Sequence, residues 1–383
     1  MRTVGRVEGD LSISAGESLR AEGAEGIQVS GAVLCEGDGR VEGNLTCASL
    51  RARKGTLEVT GTLRCSGEVD AQRGGLRTGQ DLICRTFEIG RDARVGGSLK
   101  AERGETGALL QVARDASFTQ GLEVGGALEV QGRLEATGLE VGGRATLGNG
   151  RILGTIEVGG EISVLGELDF EQLEVGGRIS LGTLSRGVDL EVGGVLKTQG
   201  DLTLKGRLEA GGKVRVRGGL HADTIEVGGV LEVRELHAQQ AEIGGVFTAE
   251  EGVSVDRLEV GGRLRAGRID VTDRAELGGQ VETRGGLKAR YLILSRDTRA
   301  VGTIVAERLE VGPHARIEDA WAQEARLDHD VRVRNLYADR VELARDVRCE
   351  GEVLYVTEAR IDPAARCASP PRKVTQLPPA PVA

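Results

Sequence analysis

Aromatic rings are nearly missing from this chain: Phe, Tyr and Trp together make up 2% of its 383 residues. A broad globular core draws much of its burial from rings, so their scarcity points to a core only a few side chains wide, filled by Leu, Val, Ile, Ala and Cys. No segment approaches the roughly 20 consecutive apolar residues that a membrane helix needs. Met1-Arg2-Thr3-Val4-Gly5-Arg6 lacks a signal-peptide pattern and passes straight into alternating sequence, so a soluble, cytoplasmic protein without membrane attachment is expected. Positive charge is also short. The net charge is −9, and no basic cluster with interleaved aromatics offsets it, which speaks against a nucleic-acid partner.

Motifs that carry chemistry are absent as well. Gly206 to Lys213 misses the P-loop spacing by one residue, Gly148-Asn149-Gly150 does not continue into a dinucleotide fingerprint, and there is no Gly-x-Ser-x-Gly elbow. None of the six cysteines falls in Cys-x-x-Cys spacing. On this reading there is no catalytic residue, no cofactor and no metal, and the chain is not an enzyme.

What the chain has is glycine, 60 residues of it, and a phrase that returns. Leu-Glu-Val-Gly-Gly and its close variants begin at Leu122, Leu139, Ile156, Leu173, Leu190, Leu208, Ile225, Ala241, Leu258 and Ala275, at spacings of 16 to 18 residues. A period this short and regular marks a repeat architecture. Within one period the apolar residues fall in pairs spaced by two: Leu122 and Val124, Leu128 and Val130, Leu134 and Ala136. That is the alternation of a strand. Between the pairs lie Gly125-Gly126, Gln131-Gly132 and Thr137-Gly138, read as corners in which glycine supplies positive φ. The prediction is an all-β fold: a single-stranded parallel β-helix with three short strands per coil of ~17 residues and a triangular cross-section. It covers residues 1–366 in about 20 coils, with 122–279 the most regular. Residues 367–383 hold five of the seven prolines and are read as a disordered tail that cannot pair in a ladder.

A second kind of corner occurs in Phe87-Glu88-Ile89-Gly90-Arg91-Asp92-Ala93-Arg94-Val95-Gly96-Gly97-Ser98-Leu99-Lys100-Ala101. Related corners lie at Leu309 to Ile317 and at Val341 to Val347. This pattern resembles the repeat of the bactofilins, polymer-forming cytoskeletal proteins. The resemblance implies a right-handed coil, a hand that the spacing alone leaves open. It also implies end-to-end homopolymers formed without nucleotide, with cell-envelope or cell-shape proteins as further partners. The chain is longer than the family's core of a few coils, and the family's N-terminal membrane-targeting segment has no counterpart here.

Three surfaces stand out as candidates. Val4, Val7, Leu11 and Ile13 lie in the first coil, whose edge would be open to another chain, and form the candidate polymer interface. Glu123, Glu140, Glu157, Glu174, Glu191, Glu209, Glu226, Glu242, Glu259 and Glu276 hold the middle of the recurring phrase and should stand in one outward row. That row is a candidate face for a cation or a basic partner, with Arg144, Arg178 and Arg263 expected to offset its charge. Trp321, Tyr337 and Tyr355 fall at one outward slot of three successive coils and should form an exposed aromatic stripe, on which the tail from Pro370 to Pro381 is expected to fold back.

Cys47, Cys65 and Cys84 occupy a slot that other coils give to alanine, as in Ala101, Ala136, Ala222 and Ala238, and are read as small inward residues. His221 and His237 share an outward slot on consecutive coils, without a visible third ligand. The leading functional expectation is a polymerising cytoskeletal scaffold. The alternatives are a β-helix enzyme, such as a hexapeptide-type acyltransferase or a polysaccharide lyase, and a binding module that uses the glutamate face.

Overall fold

The computed structural model describes residues 1–381. Among them every regular element is a strand. The strands stack in parallel, about 17 residues apart, into a β-solenoid of about 22 turns. The chain divides into two compact units, Met1–Gly193 and Gly194–Ala383, each built in the same way.

Alternation in sequence becomes alternation of burial. In the strand Ala127–Ala136, Leu128, Val130, Leu134 and Ala136 are buried, and the residues between them face out. Stacking then places like on like. In the first unit the register runs Leu122, Leu139, Ile156, Leu173, Leu190. In the second it runs Leu208, Ile225, Ala241, Leu258, Ala275. Each coil satisfies its backbone groups on its neighbours and adds one layer to a narrow apolar column.

The double-glycine corners work differently from the expectation. None of the glycines at 125, 126, 142, 143, 159, 160, 176 or 177 has positive φ; among the double-glycine corners of the recurring phrase only Gly279 does. Close stacking is what requires glycine there. A Cβ on Gly142 would lie 2.3 Å from the carbonyl oxygen of Gly125, one coil away. Corners in the last coils are of another type, with Asp297, His314, Asp330 and Asp346 in the left-handed region at φ of 58° to 63°. Asp is among the residues that tolerate this region best. Each is followed by a buried residue: Thr298, Ala315, Val331 and Val347.

A third corner device uses side chains. Asp81, Asp115 and Asn149 accept, through Oδ1, the backbone N–H of Ser98, Arg133 and Glu167 on the next coil, at 2.8 to 3.0 Å. The residue just before each donor is glycine (Gly97, Gly132, Gly166), where a Cβ would lie 2.3 Å from that oxygen. The same clasp recurs from Asp201 to Gly219 and from Asn335 to Glu352.

Three of the four buried rings that the narrow core should exclude are accommodated by glycine. Phe87, Phe118, Phe170 and Phe247 are all buried. A Cβ on Gly104 would lie 2.3 Å from the Phe87 ring and 3.0 Å from that of Phe118, and one on Gly187 would lie 2.2 Å from that of Phe170. Phe118 sits in register with Ala101, and farther along the same slot passes from Ala136 through Ile152 to Phe170.

The reading of residues 367–383 as unable to pair is corrected in part. Arg366–Cys367 pairs with Arg348–Cys349, and Arg372–Lys373 pairs with Leu354–Tyr355. Prolines lack the N–H that a ladder needs, but Arg372, Lys373 and Val374 have it, and Val374 donates to the carbonyl of Tyr355 at 2.8 Å.

Candidate functional site

In the first coil, Arg2–Val4, Arg6–Val7 and Leu11–Ile13 each pair on one side only among the described residues, with Glu17–Ala21, Ile27–Val29 and Ala32–Cys35. The other side is an unpaired parallel edge. Ile13 is fully buried and Leu11 6% exposed, so both belong to the core. Val4 and Val7 are half-buried. The carbonyl of Val4 accepts from Glu22 on the second coil at 3.1 Å, so the N–H and C=O of Thr3 point the other way, out along the edge.

The glutamate row is present. Register joins Glu123, Glu140, Glu157, Glu174 and Glu191 in the first unit, all exposed. It joins Glu209, Glu226, Glu242, Glu259 and Glu276 in the second. In the first unit the row extends back through Glu105 and Glu88 to Asp70, where the repeat is looser and lacks the recurring phrase. The expected arginine partners go elsewhere. Arg144 and Arg178 both pair with Glu161, at 3.5 and 3.8 Å, and Arg263 donates to Gln280. They follow the double glycine and so stand on the next face of the coil. Among the described residues, none of the five glutamates from Glu123 to Glu191 has a cation within salt-bridge distance. In the second unit Arg207 bonds Glu209 at 2.8 Å and Glu226 at 2.6 Å, and Arg274 bonds Glu276 at 3.2 Å.

The aromatic stripe is corrected in one member. Trp321 and Tyr337 are in register, with ring centroids 4.7 Å apart at 34°. The residue beside Tyr337 on the next coil is Leu354, while Tyr355 stands opposite Ala338. Successive coils are offset by 17 residues here, and the shift that makes the offset 18 comes only between Ala338 and Arg340, too late to bring Tyr355 beside Tyr337. Burial, with the Glu352 and Asp319 carboxylates behind it, pushes the Tyr337 phenol above its usual range. The tail lies over this stripe. The Trp321 indole N–H donates to the carbonyl of Pro378 at 3.1 Å, and Leu377 closes a cleft of about 560 Å³ whose other walls include Trp321, Val305, Lys288 and Asp270. Tyr291 stands apart, between the guanidinium groups of Arg274 and Arg308 at 5.3 and 5.9 Å.

Cysteine behaves as an inward residue. Cys47, Cys65 and Cys84 are buried, Cys47 stands beside Cys65, and burial pushes the Cys84 thiol up to about 12. Cys349 and Cys367 are a further register pair. The imidazoles of His221 and His237 are stacked with centroids 4.7 Å apart, as their shared slot predicts. Glu235 joins them, a neighbour that the sequence reading missed although its place two residues before His237 puts it on the same outward side. A second cluster holds His314, His329 and Asp330. Asp319 accepts from Arg334 at 2.9 Å and Asn335 at 2.8 Å, and the guanidinium holds its carboxyl below the usual range. Among the described residues no helix is long and apolar enough to cross a membrane. In comparisons with known proteins, no family model, curated sequence or solved structure matches this chain.

Proposed function

We propose that this chain is a structural scaffold that assembles end to end, without nucleotide, into filaments of the cytoskeletal kind formed by bactofilins in the cytoplasm. The observation that carries this reading is the unpaired parallel edge of the first coil. Its three strands offer outward backbone groups and the half-buried side chains of Val4 and Val7. An open edge is a template for another strand, and a second copy carries strands of matching parallel geometry. Its partners are then further copies of itself, with cell-envelope or cell-shape proteins recruited along the faces. A second reading, in which the aromatic face binds extended proline-rich segments, is favoured by the tail that already lies there.

The edge can be altered without touching the internal ladder. Thr3→Pro removes an outward N–H, and Val7→Glu places a charge at the contact. Each variant is expected to lose filaments in negative-stain electron microscopy and sedimentation while keeping the β-type circular dichroism of the parent. A parent chain that stays monomeric at every concentration and salt tested would overturn the proposal.

A further inference from the structure

Two imidazoles and a carboxylate converge on one outward face of the second unit. His221 lies in the strand Lys213–Val227 and His237 in Val230–Ile243, directly in register, with parallel rings 4.7 Å apart. Glu235 precedes His237 by two residues, so strand alternation sends its side chain out on the same side. Its register partner is Gly219, which has no side chain to occupy the space above it. A Cβ placed on Gly219 would lie 3.2 Å from both Glu235 Oε1 and His221 Nε2. One ligand atom from each of the three side chains lies within 4.8 Å of the others. Neither imidazole has a hydrogen-bond partner among the described residues. Arg234 bonds Glu235 Oε1 at 3.1 Å, but both partners are partly exposed, and such a pair contributes little that a metal would have to overcome.

We propose that His221, Glu235 and His237 form a binding site for one divalent transition-metal ion of the zinc class, which clips two consecutive coils together. Two imidazole nitrogens and one carboxylate oxygen suit Zn²⁺ with an open fourth position, whereas Ca²⁺ and Mg²⁺ require an oxygen shell. Metal–ligand distances near 2.0–2.2 Å bring ligand atoms to about 3.3 Å from one another. The rings therefore turn out of the stack when the ion enters, which the exposed His237 is free to do. The other cluster is built differently. His329 Nδ1 is already bonded to Asp328 at 2.9 Å, and His314 Nδ1 faces Asp330 at 3.7 Å, with the rings edge to face.

The test is isothermal titration of the full chain with ZnCl₂, together with the visible absorption of the Co²⁺-loaded protein. One ion per chain is expected. His221→Ala, His237→Ala and Glu235→Gln should each weaken binding at least about tenfold, with circular dichroism unchanged. Zn²⁺ should raise the unfolding temperature of the parent chain and leave that of His237→Ala where it was. The proposal is overturned if submillimolar Zn²⁺ does not bind or if Ca²⁺ and Mg²⁺ bind equally well. It is also overturned if His237→Ala binds as the parent does while His329→Ala or Cys367→Ser abolishes binding.

Discussion

A buried hydroxyl shows how much one atom decides in a core this narrow. Thr106 is fully buried, and its Oγ1 has no hydrogen-bond partner. Its register neighbours are Ile89 and Val124, both apolar. Thr78 and Thr198 are buried too, but their hydroxyls donate to the carbonyls of Gln80 and Gly200 at 3.0 and 2.8 Å. Leaving a buried polar group unpaired costs about 1–3 kcal/mol, while an apolar group of the same shape avoids that cost. Thr106→Val is therefore expected to stabilise the protein by about 1 kcal/mol. It would be read as a higher urea midpoint at unchanged slope, while Thr78→Val should lower the midpoint. A Thr106→Val variant no more stable than the parent would mean that the hydroxyl has found a partner.

At the scale of the element, stacking multiplies whatever one coil carries. The phrase repeats its glutamate because its strand repeats, and parallel register sets each carboxylate beside the next. In the first unit the arginines that should have offset this charge serve Glu161 instead. Two unit charges about 4 Å apart in water repel by on the order of 1 kcal/mol, less with salt. Glu157 has two such neighbours, Glu140 and Glu174. Glu157→Gln should raise the unfolding temperature at low ionic strength and reduce its dependence on NaCl. Equal salt dependence in parent and variant would show that the row does not strain the coils. The Asp and Asn clasps act in the opposite sense, adding one side-chain hydrogen bond between coils wherever a glycine faces the carboxylate or amide.

At the scale of the whole molecule, the end-to-end assembly proposed above turns on the C-terminal tail. Arg372–Lys373 covers the edge at Leu354–Tyr355, and Pro378 sits on Trp321. Farther along the same strand Ile361 is 37% exposed, and among the described residues the edge there continues uncovered. Deleting residues 369–383 should shift the Trp321 emission to longer wavelength and lengthen the assemblies, because it uncovers both the ring and the edge. Deleting only residues 374–383 should shift the emission while leaving the Arg372–Lys373 pairing in place, and so change length less. An unchanged spectrum in both would mean that the tail does not rest there in solution.

The solenoid itself was legible from the chain alone. Period, strand alternation and the shortage of rings all follow from a core that is rebuilt identically every coil, so local pattern and tertiary structure are the same information. The outward glutamates and the paired histidines were legible for that reason. Register decided the rest. The extra residue that would have brought Tyr355 beside Tyr337 enters only after Ala338, so Leu354 takes the place on the aromatic stripe. Alternation already put Glu235 on the outward side of His237, but that it can reach both histidines depended on Gly219 standing opposite it, a cross-strand relation. The corner glycines could be counted but not explained, because a carbonyl 2.3 Å from a hypothetical Cβ belongs to another coil. Composition marked the tail as poor in N–H groups, and only the folded chain showed that Arg372 and Lys373 suffice to pair it. What repeats along the sequence was set by the sequence; what meets across coils was set by how the coils stack.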